Sequence, residues 1–321
     1  MLDTMNSYID WEFEKLYNFK YKLDLDANHS DEQLNELIEK YGSNTSKMYG
    51  IEFKDGDTKK ANTLTVNDSQ DLLRYTDHNI NVMKLKDDGI YITEKLSKTL
   101  NKNIGDEIEW HIFGEDTWYK TKISGINRDP QSQTFNMTRS CFESLGKEYK
   151  PGTIYTDEDL SDTKEIEGIS KIISKDNLKS GMLSMISTMY MMIVLLISVS
   201  AILAFVIIYN LGILSFAEKQ YQFATLKVLG YKNKQIEKIF VKQNVWITII
   251  SVIIGLPLGF LMTDYIFKSA LGDNYDFPAV ITLLTYTYSA IGTFIVSFAV
   301  NRFLAKKVKN IDMVTSLKGN E

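Results

Sequence analysis

The sequence predicts a membrane α-helical domain of three transmembrane helices joined to an extracytoplasmic α+β domain. Three observations lead there. Charge is split: residues 1–180 hold 34 acids and 24 bases, net −10, whereas residues 181–321 hold 7 and 12, net +5. The second part has no charged residue between Lys179 and Glu218, Lys242 and Asp264, or Asp276 and Arg302. Each gap exceeds the roughly 20 residues a helix needs to cross a bilayer core. The first part, in contrast, reads as short strands and short capped helices broken by polar turns.

We therefore divide the chain into an outer α+β domain, 1–180, and a transmembrane domain, 181–321. Spans are expected near 188–214, 243–267 and 279–304. Their apolar cores are "MMIVLLISVSAILAFVIIYNLGIL", "VWITIISVIIGLPLGFLM" and "AVITLLTYTYSAIGTFIVSFAV". Lys219, Lys227, Lys232, Lys234 and Lys238 face only Glu218 and Glu237 between the first two spans, and the tail after Arg302 is also basic. Positive charge stays in the cytoplasm, so the 215–241 loop and the C-terminus are expected inside. The connection at 268–278 and residues 1–180 are then outside. The first 20 residues have neither a basic n-region nor an apolar h-region. Export of an acidic domain of this size leads us to expect a preceding transmembrane helix that this chain lacks. It would then be a truncated or engineered fragment, or a reading frame begun at an internal Met. The alternative is that the first span's own orientation signal exports the domain.

In the outer domain, "FKYKLDL" alternates Phe19, Tyr21, Leu23 and Leu25 as a strand does. "SDEQLNELIEKYG" predicts a helix capped by Ser30, with Leu34, Leu37 and Ile38 on one face and Gly42 as its stop. "SKMYGIEF" and "ANTLTVN" read as strands. A helix follows near Thr93–Leu100, then a turn at "NIGDE", a strand, its hairpin partner "TWYKTKISGI", and a short helix in "TRSCFESLG".

Chemistry-bearing residues are sparse. His29, His78 and His111 lie far apart without metal-site spacing, and Asp87–Asp88 and Asp106–Glu107 sit in turns. Cys141 is the lone cysteine, which excludes an intrachain disulfide and suits a small half-buried residue better than a nucleophile. No GxxxxGK[ST], GxSxG or HExxH motif occurs. The chain is expected to be no enzyme and to carry no cofactor. No nucleic-acid partner is expected. Any ATP would be used on a partner subunit.

The segment "EKQYQFATLKVLGY" between the first two spans is amphipathic. Phe223 and Leu226, with Val228 and Leu229, offer an apolar face, Lys219 and Lys227 a polar side, and Gly230 a C′ position at which the chain turns back. Two occupants suit that face: a groove on a partner or the inner leaflet. Farther on, Ser251, Gly255 and Gly259 recur every four residues around a kinking Pro257, and Thr285, Ser289, Thr293 and Ser297 repeat the spacing. Such stripes let another helix approach closely.

From "YNLGILSFAEKQYQFATLKVLGY" through "QNVWITIISVIIGLPLG" to "KNIDMVTSLKG", residues 185–319 resemble the FtsX-like permease domain of ABC transporters, of the MacB-type or type VII superfamily. Residues 80–130 resemble its outer domain more weakly, through "GIYITEKLSKTLNKNIGDEI" and "KISGI". The resemblance implies four spans with the outer domain between the first two, so that "SYIDWEFEKL" would be a stalk leaving the missing first helix. It further implies that 216–230 is a coupling helix docking on a cytoplasmic ABC ATPase through Glu218, Lys219, Phe223, Leu226, Lys227, Leu229 and Gly230. The stripes would pack within the bundle, on a second permease half or in a homodimer, within the lipid bilayer. The implied function is a permease subunit that transmits the ATPase cycle to its outer domain and exports or extrudes peptide, lipid or antibiotic cargo. The alternative is a non-transporting regulator of a cell-wall hydrolase or antibiotic-sensing partner, with an extracytoplasmic protein or peptide ligand. The tail resembles a Gram-positive branch, which implies a Gram-positive cell membrane. Tyr221, Gln222 and Gln243 depart from the family's charged residues, while Asn244 is kept. A more apolar partner contact is implied.

Overall fold

The computed structural model describes residues 2–26, 29–163, 165–276 and 280–309. It divides into two compact units: Leu2–Ile186 with Ile266–Pro278, and Ser187–Tyr265 with the chain from Ala279 onward.

The first unit begins with α1 (Leu2–Asp10), which widens into a π-helical turn over Trp11–Leu16. Then come β1 (Tyr21–Leu25), α2 (Asp31–Tyr41), β2 (Thr45–Asp55), β3 (Thr58–Asn67), the small pair β4 (Tyr75–Thr76) and β5 (Val82–Met83), and β6 (Ile90–Thr93). The unit continues with α3 (Glu94–Leu100), β7 (Glu107–Ile112), β8 (Tyr119–Asn127), β9 (Phe135–Thr138), α4 (Arg139–Ser144), β10 (Thr153–Thr156) and β11 (Ile169–Ser174). Local signals place the helices as expected. Ser30 and Gln33 form a reciprocal capping box on α2, and Thr138 accepts from Cys141 N to start α4.

The strands run in the order β11-β1-β10-β2-β3-β9-β6-β8-β7, and β7 pairs back onto β2. That last pairing, Ile51 to Ile112 and Phe53 to Trp110, closes β2, β3, β9, β6, β8 and β7 into a ring. The long β2 makes this possible: its first residues pair with β10 and its later ones with β7. β3–β9 and β6–β8 are parallel, so both need crossovers. The ring is filled, not hollow. Ile51, Phe53, Leu64, Val66, Ile90, Ile92, Trp110, Ile123 and Phe135 are buried together, and Trp110 Nε1 donates to Thr121 Oγ1 at 3.1 Å. A second cluster, Leu23, Leu37, Tyr41, Ile154 and Leu160, lies between α2 and the β11-β1-β10 extension.

Three long helices follow: α5 (Lys175–Val228), α6 (Asn233–Leu271) and α7 (Leu283–Lys309). All three have stretches long and apolar enough to cross a membrane. The expected coupling helix at 216–230 is not a separate element, because α5 runs unbroken to Val228. No proline interrupts that stretch, and nothing else supplies the backbone break that a new helix needs. Pro257 lies inside α6 without ending it.

Candidate functional site

The junction of α5 and α6 is shaped by its turn. Gly230 has φ +92, Tyr231 N donates to Leu226 O at 3.0 Å, and Gly230 N to Lys227 O at 3.0 Å. This is a Schellman motif, which needs a residue tolerant of the left-handed region at C′. Two residues later Gln235 Oε1 accepts from Lys232 N at 2.8 Å and caps the start of α6. The chain therefore reverses within four residues, Leu229 to Lys232.

The end of α5 has two faces. Inward, Phe223 and Ala224 are buried, and Phe223 packs with Ile236 of α6 and Val300 of α7, with Leu226, Ile213 and Tyr209 alongside. Outward, Glu218, Tyr221, Gln222, Thr225, Val228 and Leu229 are exposed and share one side at helical spacing. Of the expected coupling residues, Glu218, Leu229 and Gly230 are thus open to an outside partner. Phe223 and Leu226 belong to the interior of their own bundle, and Lys227 is half-buried. Lys219 Nζ donates to Gln243 Oε1 at 2.6 Å. Sequence reasoning chose the apolar face by hydrophobicity, with Val228 and Leu229 at its edge; it noted Tyr221 and Gln222 only as departures from the family's charges and passed over Thr225. The signal that finds Tyr221, Gln222 and Thr225 is their i+3, i+4 and i+7 relation to Glu218.

Deeper in the helices, α6 and α7 are joined by polar side chains. Asn244 Nδ2 donates to Asn301 Oδ1 at 2.7 Å, and the Thr248 and Ser297 hydroxyls meet at 2.6 Å. Asn301, Thr248 and Ser297 are buried. Inside an apolar span such a ladder fixes which faces of two helices meet. Of the two small-residue stripes, only Ser297 is used this way. Ser251, Gly255, Pro257, Gly259, Ser289 and Thr293 are exposed and Thr285 is half-buried. A Cβ added at Gly255 or Gly259 would meet no described atom within 4 Å.

The first unit's reactive side chains are engaged structurally. The Cys141 thiol is buried, donates to Gly89 O at 3.5 Å, and is pushed up in pKa by that burial, away from thiolate chemistry. His111 Nε2 meets Glu52 Oε2 at 3.0 Å and His78 Nδ1 meets Glu94 Oε2 at 2.8 Å. Sequence reasoning missed the acids inside. Glu12 and Asp129 are both pushed up by burial, to about 7 and about 6. Tyr8 and Tyr17 hydroxyls counter part of the shift at Glu12, and the backbone N–H groups of Ser132 and Gln131 counter part of it at Asp129. Asp129 lines a cavity of about 230 Å³ with Tyr17, Phe19, Tyr75 and Tyr155.

Residues 182–313 match the family described as FtsX-like permease C-terminal. The match spans the three long helices and the turn between α5 and α6. A comparison with curated proteins finds no match.

Proposed function

We propose that this chain is the permease component of an ABC-type system and that it works as a transmitter. An ATPase on the cytoplasmic side engages the open face at the end of α5, and the long helices carry its movement to the domain built on β1–β11. The observation that carries this reading is the match over residues 182–313, joined to the tight α5–α6 turn and its exposed Tyr221, Val228 and Leu229. A sharp reversal presents an apolar patch on a rigid end, which suits a groove on a partner. Differential contact of the ATPase in its two states would then shift the permease between two arrangements. The spans also expose nearly all their apolar surface within this chain. Lipid, a further helix or a second permease half is left to cover it, and the open Gly255 and Gly259 support a helix there.

The filled ring of the outer domain favours action through its surface over passage of cargo through its interior. That supports, as a second reading, a regulator whose outer domain engages a cell-wall hydrolase or antibiotic-sensing protein. Export of peptide, lipid or antibiotic cargo is the first reading.

Co-purification tests docking. The full chain carrying Val228→Asp and Leu229→Asp should recover about tenfold less ATPase than the unaltered chain, whereas Ile104→Asp in the outer domain should recover as much. Equal recovery from all three would remove the docking assignment. Membrane sidedness is tested separately: in intact cells an impermeant maleimide should label Ile104→Cys and leave Leu229→Cys unlabelled.

A further inference from the structure

Arg128, just after β8, draws together separate parts of the first unit. Its N–H donates to Thr76 O at 2.7 Å, and the Thr76 hydroxyl returns a bond to Arg128 O at 2.8 Å. Trp11, in the π-helical turn of the N-terminal segment, donates through Nε1 to the same hydroxyl at 2.9 Å. Its ring lies 5.0 Å from the guanidinium carbon. The guanidinium forms a two-pronged contact with Asp276 in the connection between α6 and α7: Nε to Oδ2 at 2.7 Å and Nη2 to Oδ1 at 3.0 Å. Nη1 donates to His78 O at 3.1 Å, and Glu94 Oε2 stands 3.6 Å from Nε.

The connection is held at further points. Asp276 N donates to Pro130 O at 3.0 Å, and Lys95 donates to the carbonyls of Gly272 and Tyr275. This is no ordinary surface ion pair. The side chains of Arg128, Asp276 and Glu94 are only 12%, 18% and 10% exposed. The planar fork satisfies two carboxylate oxygens at once, which a point charge does not do. Removing one partner leaves a charge largely withdrawn from water.

We propose that Arg128 is a positioning residue that clasps residues 272–276 to the outer domain, so that movement of the α6–α7 connection is handed to that domain directly. A domain joined to its driver only at helix ends can pivot about those joins. A further attachment through the clasp restrains that freedom and turns displacement of the connection into displacement of the domain. The inference rests on the transmitter reading above and names where the transmission enters.

The test uses the full chain in lipid nanodiscs with its ATPase bound, followed by amide hydrogen exchange with and without a non-hydrolysable ATP analogue. The unaltered chain is compared with Arg128→Lys, Arg128→Ala and Asp276→Asn. Arg128→Ala and Asp276→Asn should speed exchange at residues 272–276 about tenfold while β2 and β3 keep their protection. The nucleotide-dependent change in the outer domain should fall about threefold or more in both, with Arg128→Lys between. Unchanged exchange at 272–276, or a full nucleotide response in Asp276→Asn, overturns the clasp while leaving the transmitter reading intact. Absence of any nucleotide response in the unaltered chain overturns the transmitter reading and the clasp with it. Should Arg128→Ala lose protection in β2 and β3, it has unfolded, and Asp276→Asn decides.

Discussion

Lys219 near the end of α5 donates through Nζ to the Gln243 side-chain oxygen of α6 at 2.6 Å, within one chain. The resemblance implies that Gln243 stands where the family has a charge. The geometry gives the neutral side chain an internal acceptor role.

Replacing Gln243 by Glu should turn this neutral contact into a charge-assisted one. Gln243 is exposed and Lys219 half-buried, so the gain should stay below about 1 kcal/mol and shrink with added salt. Gln243→Ala should cost a similar small amount. Thermal unfolding of the detergent-solubilised chain at low and high ionic strength measures both. A large, salt-independent effect would mean the contact is not the one described.

Phe223 and Leu229 should behave oppositely. Phe223→Ala empties the space beside Ile236 and Val300 and should destabilise the helical unit by about 3 kcal/mol. Leu229→Ala touches an exposed side chain and should change stability by less than about 0.5 kcal/mol. Unfolding midpoints of the two variants, side by side with ATPase recovery, separate packing from docking.

Periodicity reports which residues share a helix face. It does not report whether the face is covered by the same chain or by another, and so Phe223 could not be told from Leu229. What was legible had a local cause. Ser30 and Gly42 announced the ends of α2, and the glycine after Leu229 announced the turn at Gly230. The closure of the ring had no such cause. Ile51 to Ile112, and Leu64 to Phe135, pair residues about 60 to 70 positions apart, and two of the pairings are parallel. The clasp of Arg128 on Asp276 spans 148 positions and carries no motif. The buried Glu12 and the half-buried Asp129 looked like ordinary surface charge until the elements around them were in place.

Gly125 tests the least legible part of the fold. A Cβ there would lie 2.3 Å from the ring of Tyr91, which is itself buried, at the register shift of the parallel β6–β8 pair. Gly125→Ala should therefore cost about 2 kcal/mol or more through a forced ring movement, although the backbone itself tolerates a side chain. Tyr91→Leu combined with Gly125→Ala should recover part of the loss. Denaturant unfolding followed through the chain's tryptophan fluorescence, to which Trp11, Trp110 and Trp118 of this unit contribute, reads both.

Glu12 and Asp129 predict an unusual pH dependence. Burial raises both acids, to about 7 and about 6, above their unfolded values near 4. Between those limits the folded chain binds more protons than the unfolded one, so stability falls as pH rises. Carboxylates held low act in the opposite sense, but in a lower window. Hydrogen bonds from His111 and Lys59 hold Glu52 down; at Glu94, burial is outweighed by Lys98, His78 and Arg128; both matter mainly below pH 4.5. The first unit should therefore be more stable near pH 5 than near pH 8, by about 1–3 kcal/mol. Glu12 adds a second handle, because its Oε2 is buried without a hydrogen-bond partner among the described residues. Glu12→Gln keeps the shape, removes the charge that must form above pH 7, and should flatten the slope while raising the unfolding temperature at pH 8. Unfolding temperatures measured from pH 5 to 8 for the two proteins decide it: parallel curves would mean that Glu12 is not the group that titrates.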